Sequence, residues 1–166
     1  MTQSVTLSDA PDLRQRVAAF LDLEADLLDR LAYREWLDLW DLSGVYIVPI
    51  ERSETDYESR LNHIYDDHDM RSKRVERLLG GHAPSATPIT RTVRSTMRIR
   101  ILESLPNELL LSSSLHIVSY KRQVQTLTAA DVQHRLLLDG DTFRIKEKVV
   151  QLINSDEPLG ELSFIL

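Results

Sequence analysis

Met97-Arg98-Ile99-Arg100-Ile101 alternates apolar and basic side chains residue by residue. A period of two is the mark of a β-strand whose two faces meet different surroundings. Met97, Ile99 and Ile101 are expected on one face, with Arg98 and Arg100 on the other. The same period governs the rest of the chain. Leu109, Leu111, Leu115 and Ile117 oppose Leu110, His116, Val118 and Tyr120. Both sets carry apolar groups, so this strand is expected inside a sheet covered on both sides. Pro106-Asn107 joins these two strands, and residues 124–138 form a third. Asp139-Gly140 is a strong hairpin signal, because glycine accepts the positive φ of a tight turn. Residues 143–153 return from it with Phe143, Ile145 and Val149 on one face, and a short tail strand is expected over 161–166.

Upstream of Ile89 the pattern is helical. Ser8 and Asp9 are cap-type residues, and Pro11 suits a first helical turn. Leu13, Val17, Phe20, Leu21, Leu28 and Leu31 then gather on one helix face, with Arg14, Gln15, Asp22, Asp26 and Arg30 largely between them. A second short helix is expected over 34–40, where Trp36 and Trp40 would share a face. Ser43-Gly44 breaks it, and Val45-Tyr46-Ile47-Val48 is a short strand that Pro49 ends. A polar loop follows over 51–60. Residues 65–79 read as a charged helix stopped by Gly80-Gly81, and 82–88 as a loop with two prolines. Helices first and long antiparallel strands afterwards make an α+β chain. A strongly curved sheet wrapping the first helix would form a cone. No repeat or linker divides the chain, so one domain is expected over 1–166, with 1–10 a flexible tail.

The composition agrees with one domain. At 166 residues the chain can bury roughly two-thirds of its unfolded surface. It needs no disulfide or structural metal to hold a core. Hydrophobic residues make up 42% and charged residues 28%, as in soluble proteins. A net charge of -6 argues against nucleic acid and against an anionic membrane as partner. The absence of cysteine excludes disulfides and thiolate metal sites, a Rieske cluster among them, and fits a reducing cytoplasm. No stretch approaches the ~20 apolar residues of a membrane helix, and residues 1–10 lack the basic start and apolar run of a secretory signal.

Several segments carry a resemblance. Glu24, Leu27, Leu28 and Asp29, followed by Ala32-Tyr33-Arg34-Glu35-Trp36-Leu37-Asp38-Leu39-Trp40, resemble an "EA-LLD" helix and the "EWL" helix after it. Val45-Tyr46-Ile47-Val48-Pro49 resembles a first strand ending in proline. Tyr65-Asp66-Asp67-His68 with Arg71, Arg74, Val75, Arg77 and Leu78 resembles a "YDD…L..R..RL" helix. Thr90-Arg91-Thr92-Val93-Arg94-Ser95 resembles a "TRH-VSN" strand, with Thr92 where His is frequent and Thr96 where Asn is frequent. Leu159-Gly160-Glu161-Leu162-Ser163 resembles a tail segment. In this order the segments resemble the beta (small) subunit of aromatic-ring-hydroxylating dioxygenases, within the NTF2-like superfamily. The resemblance implies an NTF2-like cone, with N-terminal helices packed on a strongly curved, mainly antiparallel sheet. It implies a cytoplasmic, non-catalytic subunit that forms a trimer and scaffolds alpha subunits in an α3β3 hetero-hexamer. A Rieske [2Fe-2S] cluster and mononuclear iron are then expected in the alpha partner. A reductase, often with a ferredoxin, would supply electrons for cis-dihydroxylation of an aromatic compound in catabolism.

Candidate sites are weighed against plainer readings. His63 and His68, with Asp66, Asp67 and Asp69 near them, are the closest thing to a two-histidine, one-carboxylate iron site. Five residues apart, they are roughly 140° out of phase on a helix and could converge only if the helix begins between them. The plainer reading is a capped helix start, with Asp66 and Asp67 facing the positive end of the dipole. His116, Tyr120, His134 and Tyr46 could line a cone as acid–base groups of a free-standing dehydratase or isomerase, or of a small-ligand binding module. A lone histidine on an apolar strand face is more often a hydrogen-bonded core or interface residue. Arg91, Arg94, Arg98 and Arg100 form a basic run in an acidic chain. Arg94, Arg98 and Arg100 share a face by even spacing, and a charged subunit interface competes here with a solvated face. Glu147 is in phase with Phe143, Ile145 and Val149, so it needs a partner, either one of those arginines or a neighbouring protomer.

Overall fold

The computed structural model describes residues 10–80, 88–160 and 162–166. The caps Ser8 and Asp9, residues 1–9 of the tail expected over 1–10, Gly81, residues 82–87 of the proline loop and Glu161 lie outside these, while Ala10, the last residue of that tail, opens the first helix. The chain runs α1 (Ala10–Asp29), α2 (Tyr33–Leu37), β1 (Trp40–Pro49), β2 (Asn62–Asp66) and α3 (His68–Leu79), followed by β3 (Arg91–Leu105), β4 (Glu108–Lys121), β5 (Val124–Asp139) and β6 (Thr142–Leu152). The strands form one curved sheet in the order β2-β1-β6-β5-β4-β3. Every neighbouring pair is antiparallel except β1 and β6, which run parallel. This is the α+β cone expected from the sequence.

The apolar stripe of α1 explains its seat. Val17, Phe20, Leu21 and Leu28 are buried on the sheet's inner face, where Phe20 meets Phe143 edge-on at 5.6 Å. Leu109, Leu111, Leu115 and Ile117 of β4 and Val132 and Leu136 of β5 supply the opposing layer. The long strands bend because the ladder is interrupted by bulges, which kink and twist a strand locally. The hairpins are tight. Gly140 takes φ +61 in the β5–β6 turn, while Arg122 and Gln123 take φ +50 and +64 in the β4–β5 turn with no glycine to signal it.

The bulges also overturn several expectations. In β3, Arg98 has φ +53 and the register shifts between Met97 and Arg100. The extra residue reverses the strand's phase. Thr92 and Arg94 face inward before it, and Ile99 and Ile101 after it, so Met97 does not share a face with the isoleucines, nor Arg94 with Arg98 and Arg100. In β6, Arg135 pairs with Glu147 while Leu136 pairs with Ile145, leaving Lys146 as the extra residue. Phe143 and Ile145 point to the core before this bulge, and Lys148, Val150 and Leu152 after it. Val149 and Glu147 are turned to the other face.

Three further corrections concern element limits. The second helix stops at Leu37, and Trp40 already belongs to β1, packed edge-on against Trp36 at 5.4 Å rather than beside it on one helix. Ser43-Gly44 lies within β1. A Cβ on Gly44 would sit 2.7 Å from the Ile145 carbonyl, so glycine is what lets β1 approach β6 there. The third helix begins at His68, not Tyr65. Residues 62–66 are an edge strand in which Asp66 pairs with Tyr46 and Tyr65 with Ile47. Finally, residues 162–166 are not a strand. They are irregular, yet Ile165 and Leu166 are buried.

Candidate subunit interface and buried polar cluster

The two faces of the sheet divide the candidate residues between them. On the inner face Glu24 projects from the apolar stripe of α1 and is buried. It accepts hydrogen bonds from Trp36 Nε1 at 3.1 Å and Lys148 Nζ at 2.8 Å, and lies 3.0 Å from His134 Nε2. Burial alone would raise its pKa. The charges of Lys148 and His134, with their hydrogen bonds, outweigh burial and hold the carboxyl well below the usual range. A second group sits beside it. Asp29 at the end of α1 accepts from Thr92 Oγ1 and from the Arg94 main-chain N, each at 2.8 Å, and from the Arg94 guanidinium. Tyr46 OH accepts from Leu166 N at 3.1 Å.

These groups leave little space. The cavity among Glu24, His134, Lys148, Arg94 and Ser113 measures about 20 Å³, room for a single water molecule. Of the acid–base candidates, His134 and Tyr46 are inside, whereas His116 and Tyr120 lie on the opposite face of β4, exposed. The four do not converge.

The metal candidate also separates. The helix does begin between His63 and His68, as convergence would require. His63 Nε2 instead bonds the Ser155 carbonyl at 2.7 Å. Asp67 caps α3 by accepting from Met70 N at 2.9 Å, and Asp66 is engaged by Arg74 at 2.5 and 3.1 Å. Among the described residues no group of three or more His, Cys, Asp or Glu is placed to hold a metal ion.

The outer face of β3, β4 and β5 has the opposite character. Val93, Val118 and Leu127 stand in direct register across the three strands and are 66%, 38% and 63% exposed. The expectation that β4 is covered on both sides therefore fails among the described residues, since none of them packs over this row. Arg91 closes one end of the row with its guanidinium 4.8 Å from the Tyr120 ring centroid. At the other end Arg98 donates to Ser114 Oγ at 2.6 Å and to Asp131 at 3.0 Å, and Arg52 meets the same carboxylate at 2.7 Å. Arg100 is exposed and pairs across to Ser112. A contiguous exposed apolar strip with a charged rim is the usual surface of a protein contact. Arg94, by contrast, is buried in the chain's own interior. Glu147 is half-buried on the outer side and makes no ion pair with these arginines among the described residues. Among the described residues no helix is long and apolar enough to cross a membrane.

Sequence reasoning missed the Glu24–His134–Lys148 cluster as a unit. Its signal was present in part, because Val17, Leu21, Glu24 and Leu28 are spaced as one helix face, whereas Lys148 follows Lys146 and Glu147 and carries no such mark.

The comparisons with known proteins agree with this geometry. The chain is 31% identical to the small oxygenase component of the p-cumate 2,3-dioxygenase system of Pseudomonas putida, over 92% of this chain and 87% of that one. It is 28% identical to the N,N-dimethyl phenylurea N-demethylase subunit beta of Sphingobium sp. (strain YBL2), over 96% of both. Its fold matches the crystal structure of the beta subunit of benzoate 1,2-dioxygenase from Burkholderia mallei with a TM-score of 0.74 and 23% identity, covering 99% of this chain and all of that one. The family described as the ring hydroxylating beta subunit matches residues 23–156, and the chain, filled on its inner face and apolar on its outer one, belongs to that family.

Proposed function

We propose that this chain is a non-catalytic small subunit of a Rieske-type aromatic-ring-hydroxylating dioxygenase. It self-associates as a trimer and carries alpha subunits in an α3β3 assembly. The observation that supports this reading best is the exposed Val93–Val118–Leu127 row, set against an interior with no room for a substrate. Arg91, Arg98 and Arg100 frame the contact, and Glu147 contributes from the outer side of β6. Arg94 leaves the interface set because it is committed to Asp29. The Rieske [2Fe-2S] cluster and the mononuclear iron sit in the alpha subunit, electrons arrive from a reductase or ferredoxin, and the assembly works in the cytoplasm on an aromatic compound. That relatives are named for a dioxygenase and for an N-demethylase supports a role for this fold that is not tied to one substrate.

Co-expression with an alpha subunit tests this. A tagged form of this chain is expected to bring the partner down at a one-to-one ratio, with all iron in the partner. Failure to co-purify with any Rieske alpha subunit would overturn the reading.

A further inference from the structure

We propose that His116 makes self-association through the outer face of the sheet depend on pH. The copies stay together while this imidazole is neutral and separate as it takes up a proton. The inference rests on the self-association proposed above. His116, a candidate acid–base group in the sequence, lies on the opposite face from the cone interior. It is exposed on β4, between Ser95 of β3 and Ala129 of β5 in direct register. Both neighbours are too short to shield its ring. Among the described residues it has no hydrogen-bond or ion-pair partner. The adjoining row is Val93–Val118–Leu127. Such rows lie about 7 Å apart, two residues along the strand. A copy that covers the aliphatic row therefore covers His116 as well.

Charge decides the sign. A protonated imidazole beneath a covering copy loses its water, which costs free energy unless an opposite charge meets it. The carboxylate on the far side of His116 from the aliphatic row is Asp131. It already takes Arg98 at 3.0 Å and Arg52, from the β1–β2 loop, at 2.7 Å. Arg91 lies against Tyr120 beyond the aliphatic row, and Arg100 is exposed one row past Asp131. Glu103, Glu108 and Glu147 belong to the other end of the sheet, around Arg135 and Lys146. The surroundings of His116 are cationic, and its proton adds a like charge to a surface about to lose its water. Histidine is the side chain whose charge changes between about pH 5 and 8.

Sedimentation velocity of the full chain at about pH 8 and about pH 5.5 tests this, beside His116→Gln, which is polar but uncharged at both. Far-UV spectra at each pH report the fold. The unaltered chain should need a concentration about tenfold higher to associate at the lower pH, because assembly then expels a proton from each copy. His116→Gln should associate equally at both, and His116→Lys should be weak at both. Association unchanged or tighter at the lower pH would overturn the inference and leave the self-association standing. So would a His116→Gln that weakens as far as the unaltered chain, or a His116→Lys that associates as tightly as the unaltered chain at the higher pH. Unfolding at the lower pH, in place of release of folded chains, would also overturn it. A monomer at the higher pH would overturn the self-association and this inference together.

Discussion

The sheet's inner and outer faces depart from the usual rule at opposite places. The inner face sets a few charged groups into its apolar layer, and the outer face of β3, β4 and β5 shows a row of bare aliphatic side chains among its polar ones. The inner charges are matched within the chain. Glu24 meets Lys148, His134 and Trp36, and Asp29 meets Arg94 and Thr92. The outer Val93, Val118 and Leu127 are covered by nothing among the described residues. Buried charges paired with opposite charges serve the fold, whereas apolar groups left in water favour a partner from outside. On the function proposed above, the difference separates stability, which rests on the inner face, from assembly, which would rest on the outer one.

Breaking the inner face should produce the largest effect. Lys148→Met strands the Glu24 carboxylate in the core, and removing one partner of a buried ion pair costs about 3–5 kcal/mol. A urea titration should show the loss, and an unchanged midpoint would mean that the pair is not formed. Acid probes the same cluster. Because the folded-state pKa of Glu24 is depressed below its ordinary 4.5, its contribution is fully present above 4.5 and is lost progressively as pH falls from there through the depressed folded-state value. Urea midpoints should drop below pH 4.5, and Glu24→Gln should make that drop shallower.

The outer face should respond in the other currency. Leu127→Asp should change the unfolding of the isolated chain by no more than roughly 0.5 kcal/mol, as exposed substitutions do. It should weaken self-association by about tenfold, near 1.4 kcal/mol. Sedimentation at several concentrations separates the two. The smallest effect belongs to the β4–β5 turn. Gln123 has φ +64, so Gln123→Gly relieves left-handed strain and should raise stability by about 0.5–1 kcal/mol. Thermal unfolding would register it.

What the sequence revealed follows the reach of local periodicity. The α1 stripe, the change of period at Ile89 and the Gly140 turn are local patterns, and all were legible. Phase was not. A bulge at Arg98 or Lys146 has no side-chain signature, and one inserted residue moves every later residue to the other face. Reading straight through those points grouped Arg94 with Arg98 and put Glu147 with Phe143. The irregular 162–166 segment has the composition of a strand, and only its side-chain partners distinguish it. Alternation on β4 disclosed two apolar faces, but no sequence pattern says whether the cover comes from the same chain or from another.

The most direct test of the account is light scattering of this chain and of Leu127→Asp, each alone and co-expressed with an alpha subunit. The account predicts a trimer alone and a hexamer of α3β3 mass with the partner, both weakened by Leu127→Asp. A monomer that ignores the partner, or assemblies indifferent to Leu127→Asp, would contradict it.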